Sequence, residues 1–206
     1  MQLITHLIFG ITACFIGALP LGAINMSVVS ISIRKSHQQA IYFALGASIV
    51  EIMQAGVAVV FGFYINQYIN NHTEISYLIA TLFLALGVYF FAKTPSVKCS
   101  EPKDSTKPGK KFYHGLAVAL LNPQAIPFWL FILAFVAPLG IFRFSGISLL
   151  LFLLGVFIGK ITALIGFAKL SKYLEQSVIK NNNALDYIMG TVFFSLGIIQ
   201  LFTHLQ

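Results

Sequence analysis

Six apolar runs, each long enough to cross a bilayer as a helix, fill most of this 206-residue chain. They cover about residues 3–33, 39–64, 75–92, 112–139, 145–170 and 185–202. A membrane-spanning helix needs about 20 mostly apolar residues. Soluble domains carry about 25% charged residues, whereas this chain carries 9%. The sequence therefore predicts an all-α integral membrane protein with six transmembrane helices.

The basic residues are distributed unequally between the two sides of such a protein. The net charge is +7, but the cations lie in short connectors, which argues against nucleic acid as a partner. Eleven of the 13 Lys and Arg fall on one side, namely Arg34, Lys35, Lys93, Lys98, Lys103, Lys107, Lys110, Lys111, Lys169, Lys172 and Lys180. Arg143 lies on the other side and Lys160 within a span. Because basic connectors stay in the cytoplasm, both termini are predicted to lie outside it.

The fourth apolar run contains a local contradiction. Asn122, Pro123, Gln124 and Pro127 stand inside a stretch that is otherwise suited to a helix. A proline in a helix interior costs about 3 kcal/mol, because it removes a hydrogen bond and clashes with the preceding turn. Within a membrane, backbone groups released in this way are tolerated only where protein or a water-filled cavity covers them. The fourth helix is therefore predicted to be interrupted by proline at a covered site.

The first apolar run contains a similar interruption. Pro20 lies near its middle, followed by Gly22 and Asn25. The polar side chains at both interruptions have two interpretations. They face a ligand pathway, where the end of a half-helix presents its dipole to the ligand. Alternatively, they form hydrogen bonds with the carbonyls that the prolines release or with neighbouring helices. The sequence favours a pathway role for Asn122 and Gln124 and leaves Asn25 evenly divided.

The chain contains an internal repeat. Residues 81–87 match residues 191–197, Leu45-Gly46 matches Leu154-Gly155, and Pro20 corresponds to Pro123. This divides the chain into a first three-helix repeat (1–92), a cytoplasmic linker (93–111) and a second three-helix repeat (112–206). Because each repeat has three spans, an odd number, the second repeat enters from the opposite side of the membrane. Inverted repeats with interrupted helices are typical of secondary transporters, whose binding sites lie near the midplane.

The repeat also aligns two charged residues, Glu51 and Lys160, each five positions after its matched glycine. Each charge costs about 2.5–3.5 kcal/mol at the centre of a membrane helix, so exposure to lipid is disfavoured. They either pair with each other or face a polar pathway, where Glu51 is a candidate proton carrier and Lys160 a candidate ligand for a carboxylate. Gln54 shares a helix face with Glu51, and Gly46 lies on the same predicted helix. Trp129 is interpreted as a packing or lipid-facing residue.

No pattern for catalysis, a cofactor or a metal site stands out. The five histidines are scattered without ligand spacing, and no Ser-His-Asp set, phosphate loop or CxxC occurs. We therefore expect no enzyme activity and no cofactor. Two alternatives to a metabolite exporter remain open. A divalent-cation exporter needs clustered His or acidic ligands, and a transmembrane thiol or electron carrier needs paired intramembrane cysteines, whereas Cys14 and Cys99 fall in a span and in the linker.

The sequence resembles the lysine exporter (LysE/RhtB-type) family of bacterial amino-acid efflux transporters. The similarity is strongest in Ala44-Leu45-Gly46 with an acid five residues on, and in Gly115-Leu116, Leu120-Leu121-Asn122-Pro123 and Ala125-Ile126. Leu86-Gly87-Val88-Tyr89 also fits the end of the family's third helix. Three features depart from it. Pro20-Leu21-Gly22-Ala23 stands in place of Pro-Gly-Pro, the acid is Glu51 instead of the commoner aspartate, and Lys160 matches no family motif.

The resemblance implies a protein of the bacterial inner membrane that moves amino acids or related small polar molecules outward with the proton motive force. Combined with the inverted repeat, it predicts a secondary exporter that works by alternating access. Its expected partners are its small-molecule substrate, protons and the lipid bilayer, and a homo-oligomer is compatible with the sequence.

Overall fold

A computed structural model of the chain describes residues 2–19, 22–69, 73–92, 108–122, 124–136, 146–174, 190–191, 194–195 and 197–198. The regular secondary structure in these residues is helical. The seven named helices are α1 (Gln2–Ala18), α2 (Ala23–Arg34), α3 (His37–Ile69), α4 (Thr73–Ala92), α5 (Pro108–Leu120), α6 (Ala125–Val136) and α7 (Gly146–Lys169). Pro20, Pro123 and most of the predicted sixth span lie outside the described residues.

Two of the described helices are long and apolar enough to cross a membrane. These are α3, over His37–Gly62, and α7, over Gly146–Lys169. The number rises to four if α1 with α2, and α5 with α6, each form one span bent by 75° and 60° respectively. These two pairs coincide with the first and fourth predicted spans. The described part of the chain is thus helical, and it has the apolar helices of a multi-pass membrane protein.

The chain divides into two compact units. Unit 1 comprises Met1–Gly62 and Lys98–Lys180, and unit 2 comprises Phe63–Val97 and Asn181–Gln206. Each unit draws residues from both halves of the sequence.

Two apolar clusters form the core of unit 1. The first joins the beginning of α3, including Phe43 and Val50, to Leu164 and Ala168 near the end of α7. The second joins a later part of α3, including Ala55, to Phe152 and Val156 on α7. Because the early part of α3 meets the late part of α7, the two helices run antiparallel.

Close backbone contacts at glycines bring the helices of unit 1 together. A methyl group on Gly46 of α3 would overlap the carbonyl oxygen of Phe112 on α5. A methyl group on Gly155 of α7 would likewise overlap the carbonyl oxygen of Leu7 on α1. Only glycine permits so close an approach of one helix to the backbone of another.

The partner helices carry reciprocal glycines. Gly115 on α5 packs against the carbonyl of Phe43, and Gly10 on α1 packs against the carbonyl of Phe152. The contact of α3 with α5 and that of α7 with α1 therefore have the same pattern. Gly46 corresponds to Gly155 in the sequence repeat, and Phe43 and Phe152 have the same spacing from them.

Unit 2 contains a comparable exchange of contacts between α4 and the helical residues near position 194. Gly87 packs against Phe194, and Gly197 packs against the side chain of Leu84 and the carbonyl of Ala80. The rings of Phe91 and Phe194 meet edge to face, with centroids 6.2 Å apart. The two stretches that the sequence repeat matches thus lie against each other.

Two local features differ from the sequence analysis. α5 begins at Pro108, inside the predicted linker, and Lys111 of its first turn is almost fully buried. Proline suits this position because the first helical N–H has no partner within the helix. Pro127 lies in the first turn of α6, where proline is tolerated. Pro127 therefore does not break α6. Its place within the apolar run had suggested the opposite.

Candidate transport site

Glu51 and Lys160 form an ion pair in the interior of unit 1. Lys160 Nζ lies 2.8 Å from Glu51 Oε2, and only 4% of Glu51 and 7% of Lys160 are exposed. Glu51 lies on α3 between the parts that enter the first and second apolar clusters, and Lys160 lies between the corresponding parts of α7. The pair therefore joins the two long helices at the boundary between the clusters. The pairing that the sequence left open is therefore observed, while a role of these residues in a transport pathway stays a prediction.

Trp129 on α6 completes the immediate surroundings of Glu51. It is fully buried, and its indole N–H donates a 2.9 Å hydrogen bond to Glu51 Oε1. Phe128 and Phe152 pack edge-on against its ring, with centroids 5.3 and 5.5 Å away. Each carboxylate oxygen of Glu51 thus has its own partner. The interpretation of Trp129 as a packing or lipid-facing residue missed this polar role, because nothing in an apolar run shows where an indole N–H points.

Cys14 on α1 belongs to the same apolar cluster as Trp129. Its side chain is buried in that cluster. It forms no disulfide. Cys99, its only possible intrachain partner, lies outside the described residues. Among those residues, no group of three His, Cys, Asp or Glu is placed to hold a metal ion.

Asn25 bonds the backbone where α1 ends. It is buried, and its side-chain amide donates a 2.6 Å hydrogen bond to the carbonyl oxygen of Ala18, the last residue of α1. Carbonyls in the last turn of a helix have no partner within that helix. Asn25 therefore satisfies a polar group that an interrupted membrane helix would otherwise leave unpaired.

Two side chains play a similar part near the end of α5. Asn122 Oδ1 accepts a hydrogen bond of 3.2 Å from the backbone N–H of Gln124. The buried side chain of Gln54 on α3 donates a hydrogen bond of 3.1 Å to the carbonyl oxygen of Ala119. Both bonds go to backbone groups beside the interruption, and for Asn122 this is the helix-stabilising contact that the sequence analysis named as one of its two interpretations.

The two interruptions lie beside each other within unit 1. A methyl group built on Gly22 would lie 3.9 Å from the side-chain oxygen of Gln124. The ring of Phe128 lies directly over Gly17, near the end of α1. Gly22, Gln124 and the half-buried Pro127 therefore belong to one region of the unit, where the first and fourth predicted spans meet.

The comparison with known protein families assigns the chain to one of them. The sequence model of the LysE type translocator family matches residues 15–203. This chain belongs to that family. The family consists of transporters of amino acids or related compounds and not of enzymes, so the chain is a membrane transport protein. No curated protein and no solved structure matches it.

A cavity of about 650 Å³ lies in this translocator where the end of α2 meets the end of α7. It is lined by Ser32, Ile33, His37, Ala168, Lys169, Ser171 and Lys172. Ser171 donates a 3.2 Å hydrogen bond to Ser32, which donates to the carbonyl of Ala168 at 2.8 Å. Lys169 and Lys172 in its lining are among the eleven basic residues that the sequence analysis assigns to one side of the membrane. Its volume is within the usual range for small-molecule sites.

Replacing Trp129 by Phe tests the role of the indole in the translocator. We expect the free energy of unfolding to fall by about 1.5–3 kcal/mol, the usual contribution of a hydrogen bond to a charged group. The measurement is thermal unfolding of the purified protein in detergent. The same substitution in a Glu51→Leu background is the control, because no carboxylate is left to accept the bond. Equal losses in both backgrounds would show that the indole contributes only by packing.

Proposed function

We propose that this chain is a secondary transporter that exports amino acids or related small polar metabolites across the bacterial inner membrane in exchange for protons. The observation that carries the proposal is the Glu51–Lys160 pair, buried between two helices that are long enough to span a membrane. Ionisable residues within membrane spans are costly, and where they occur they usually mark substrate pathways or proton relays.

The two charges of the pair are complementary to the two charges of an amino acid. A zwitterionic amino acid carries a carboxylate and an ammonium on the same carbon atom. Its carboxylate can replace Glu51 as the partner of Lys160, while its ammonium replaces Lys160 as the partner of Glu51. Neither protein charge is then left buried without a counter-ion, a loss that is strongly destabilising when it occurs.

Glu51 is the proposed site of proton coupling. Protonation removes the negative charge that holds Lys160, so the pair weakens and the contact between α3 and α7 loses its electrostatic part. Trp129 holds the other carboxylate oxygen and keeps the group oriented toward Lys160. Proton binding and substrate binding therefore compete for the same carboxylate, as exchange transport requires.

The glycine contacts support alternating access between two inverted three-helix repeats, 1–92 and 112–206. Gly46 with Phe112, and Gly155 with Leu7, are related by the sequence repeat, and Gly87 and Gly197 exchange contacts in the same manner. A pseudo-two-fold arrangement produces such reciprocal pairs. Transporters built in this way alternate by rocking one repeat against the other around a central site.

The proposed orientation places the basic side of the protein, with the cavity at the ends of α2 and α7, in the cytoplasm. Both termini then lie outside the cytoplasm, as the positive-inside rule predicts. The substrate would approach from the cavity side and leave on the opposite side of the membrane.

The Glu51→Gln variant tests the coupling. Proteoliposomes loaded with a mixture of the 20 common amino acids are given a pH gradient, and efflux is followed by mass spectrometry. We expect the wild type to release a subset of amino acids at a rate that follows the gradient, and Glu51→Gln to lose that dependence. Trp129 is the only tryptophan, so its fluorescence reports substrate binding beside Glu51 independently of transport.

Two further variants make the result interpretable. Lys110→Met removes an exposed cation at the start of α5 and should transport like the wild type. Glu51→Gln combined with Lys160→Met removes both charges of the pair, so it should fold well and still fail to transport. Export by this double variant at the wild-type rate and with the wild-type pH dependence would remove the pair from the mechanism.

A further inference from the structure

We infer that the Glu51–Lys160 pair restricts the substrate to amino acids without net charge, and that Lys160 excludes the cationic ones. This inference rests on the proposed export function and specifies its substrate class. It concerns the one buried ion pair that the described residues place between α3 and α7.

The first argument is charge balance. Glu51 and Lys160 together carry no net charge, and both are almost fully buried among apolar side chains. A zwitterionic amino acid with an uncharged side chain keeps the net charge of the site at zero. Its carboxylate and ammonium can then lie next to Lys160 and Glu51 respectively, so that each charge has an opposite charge beside it. A substrate with a charged side chain brings one extra charge into surroundings where an unpaired charge is very costly.

The second argument is the lack of a partner for a cationic side chain. Within the described residues of unit 1, Glu51 is the only Asp or Glu. One of its oxygens already faces Lys160, and the other accepts the Trp129 indole N–H. A lysine or arginine substrate would therefore place its second cation near Lys160, and the described residues of unit 1 offer no second carboxylate to bind it. Juxtaposed like charges of this kind discriminate strongly against a wrong ligand.

The third argument is the charge of the cavity. Among the described residues that line it, the ionisable ones are His37, Lys169 and Lys172, and none of them is acidic. Ala168, which also lines the cavity, lies eight residues beyond Lys160 on the same chain, or about 12 Å at the rise of an α-helix. A cation that approaches from this side meets positive charge at the cavity and again at Lys160.

The test is the amino-acid profile of wild-type efflux. Proteoliposomes are loaded with L-threonine, L-lysine and L-glutamate at equal concentrations, as neutral, cationic and anionic probes, together with the other neutral amino acids. We expect neutral amino acids to leave at least about tenfold faster than lysine, arginine or glutamate. Efflux of lysine or arginine at a rate equal to that of the best neutral substrate would overturn the inference and leave the export function standing. If no amino acid leaves, both fall.

Variants of Lys160 assign the selectivity to this residue. Lys160→Gln removes the positive charge, so the ratio of lysine efflux to neutral efflux should rise by about tenfold or more. Lys160→Arg keeps the charge and should keep the neutral preference. An unchanged ratio in a transporting Lys160→Gln variant would contradict the role of Lys160. If this variant does not fold, Trp129 fluorescence on addition of L-threonine or L-lysine to the wild type still decides whether the cation is excluded.

Discussion

Replacing Lys160 by Met is expected to lower the free energy of unfolding by about 3–5 kcal/mol, because it leaves Glu51 buried without its counter-ion. The 2.8 Å contact and the low exposure of both residues place this pair among the buried ones. Exposed ion pairs, by contrast, contribute little to stability. Thermal unfolding of the purified protein in detergent measures the change, and we expect a clearly lower midpoint.

A double-mutant cycle separates the pair from the rest of the fold. Adding Glu51→Gln to Lys160→Met should restore most of the lost stability, because no unpaired charge then remains and Trp129 can still donate to the amide oxygen. Lys110→Met is the matched control, since it removes an exposed lysine, and it should leave the midpoint unchanged. If the double variant were as unstable as Lys160→Met alone, the instability would not come from an orphaned charge.

Gly46→Ala is expected to destabilise the protein by about 3 kcal/mol, at the upper end of the usual cost of overpacking a core. The added methyl group would overlap the carbonyl oxygen of Phe112 and crowd the backbone N–H of Leu116. Both are backbone atoms of α5, so no side-chain rotation relieves the overlap and the helices must separate. Thermal unfolding in detergent, together with the amount of folded protein recovered, measures this effect.

The same helix supplies the control for this prediction. A methyl group on Gly56 of α3 would lie 3.9 Å from the side chain of Leu153, an ordinary contact. Gly56→Ala should therefore be neutral or stabilising by up to about 1 kcal/mol, because alanine loses less backbone entropy than glycine in a helix. Equal destabilisation by Gly46→Ala and Gly56→Ala would show that α3 is sensitive to any substitution and that the close approach to α5 is not the cause.

The interrupted helices show where the sequence was informative and where it was not. Asn25 and Asn122 were recognisable because amides are uncommon in apolar runs. Whether they bonded the backbone depended on which backbone N–H or carbonyl group each side chain could reach. Asn25 reaches Ala18, seven residues back, while Asn122 bonds the N–H of Gln124. Such contacts depend on the path of the chain after the helix ends, which the residue types alone do not define.

Trp129 and Lys111 illustrate a second limit of prediction from the sequence. Both have amphipathic side chains, with an apolar body and one polar end, so the sequence is compatible with several environments. Trp129 was read as a packing or lipid-facing residue, yet its indole N–H meets Glu51, which is 78 residues away in the sequence. Lys111 belongs to the predicted cytoplasmic linker, yet it is buried in the first turn of α5. Neighbours in sequence do not reveal such contacts.

The sequence by itself determined that this is a helical membrane protein, because long apolar runs with few charges can be satisfied only in a bilayer. It also identified Glu51 and Lys160 as the charges that need an explanation. Only the tertiary structure decided that they bind each other. Their pairing depends on the distance and the register at which α3 and α7 pack in unit 1. The close contacts of Gly46 with α5 and of Gly155 with α1 fix the positions of these two helices.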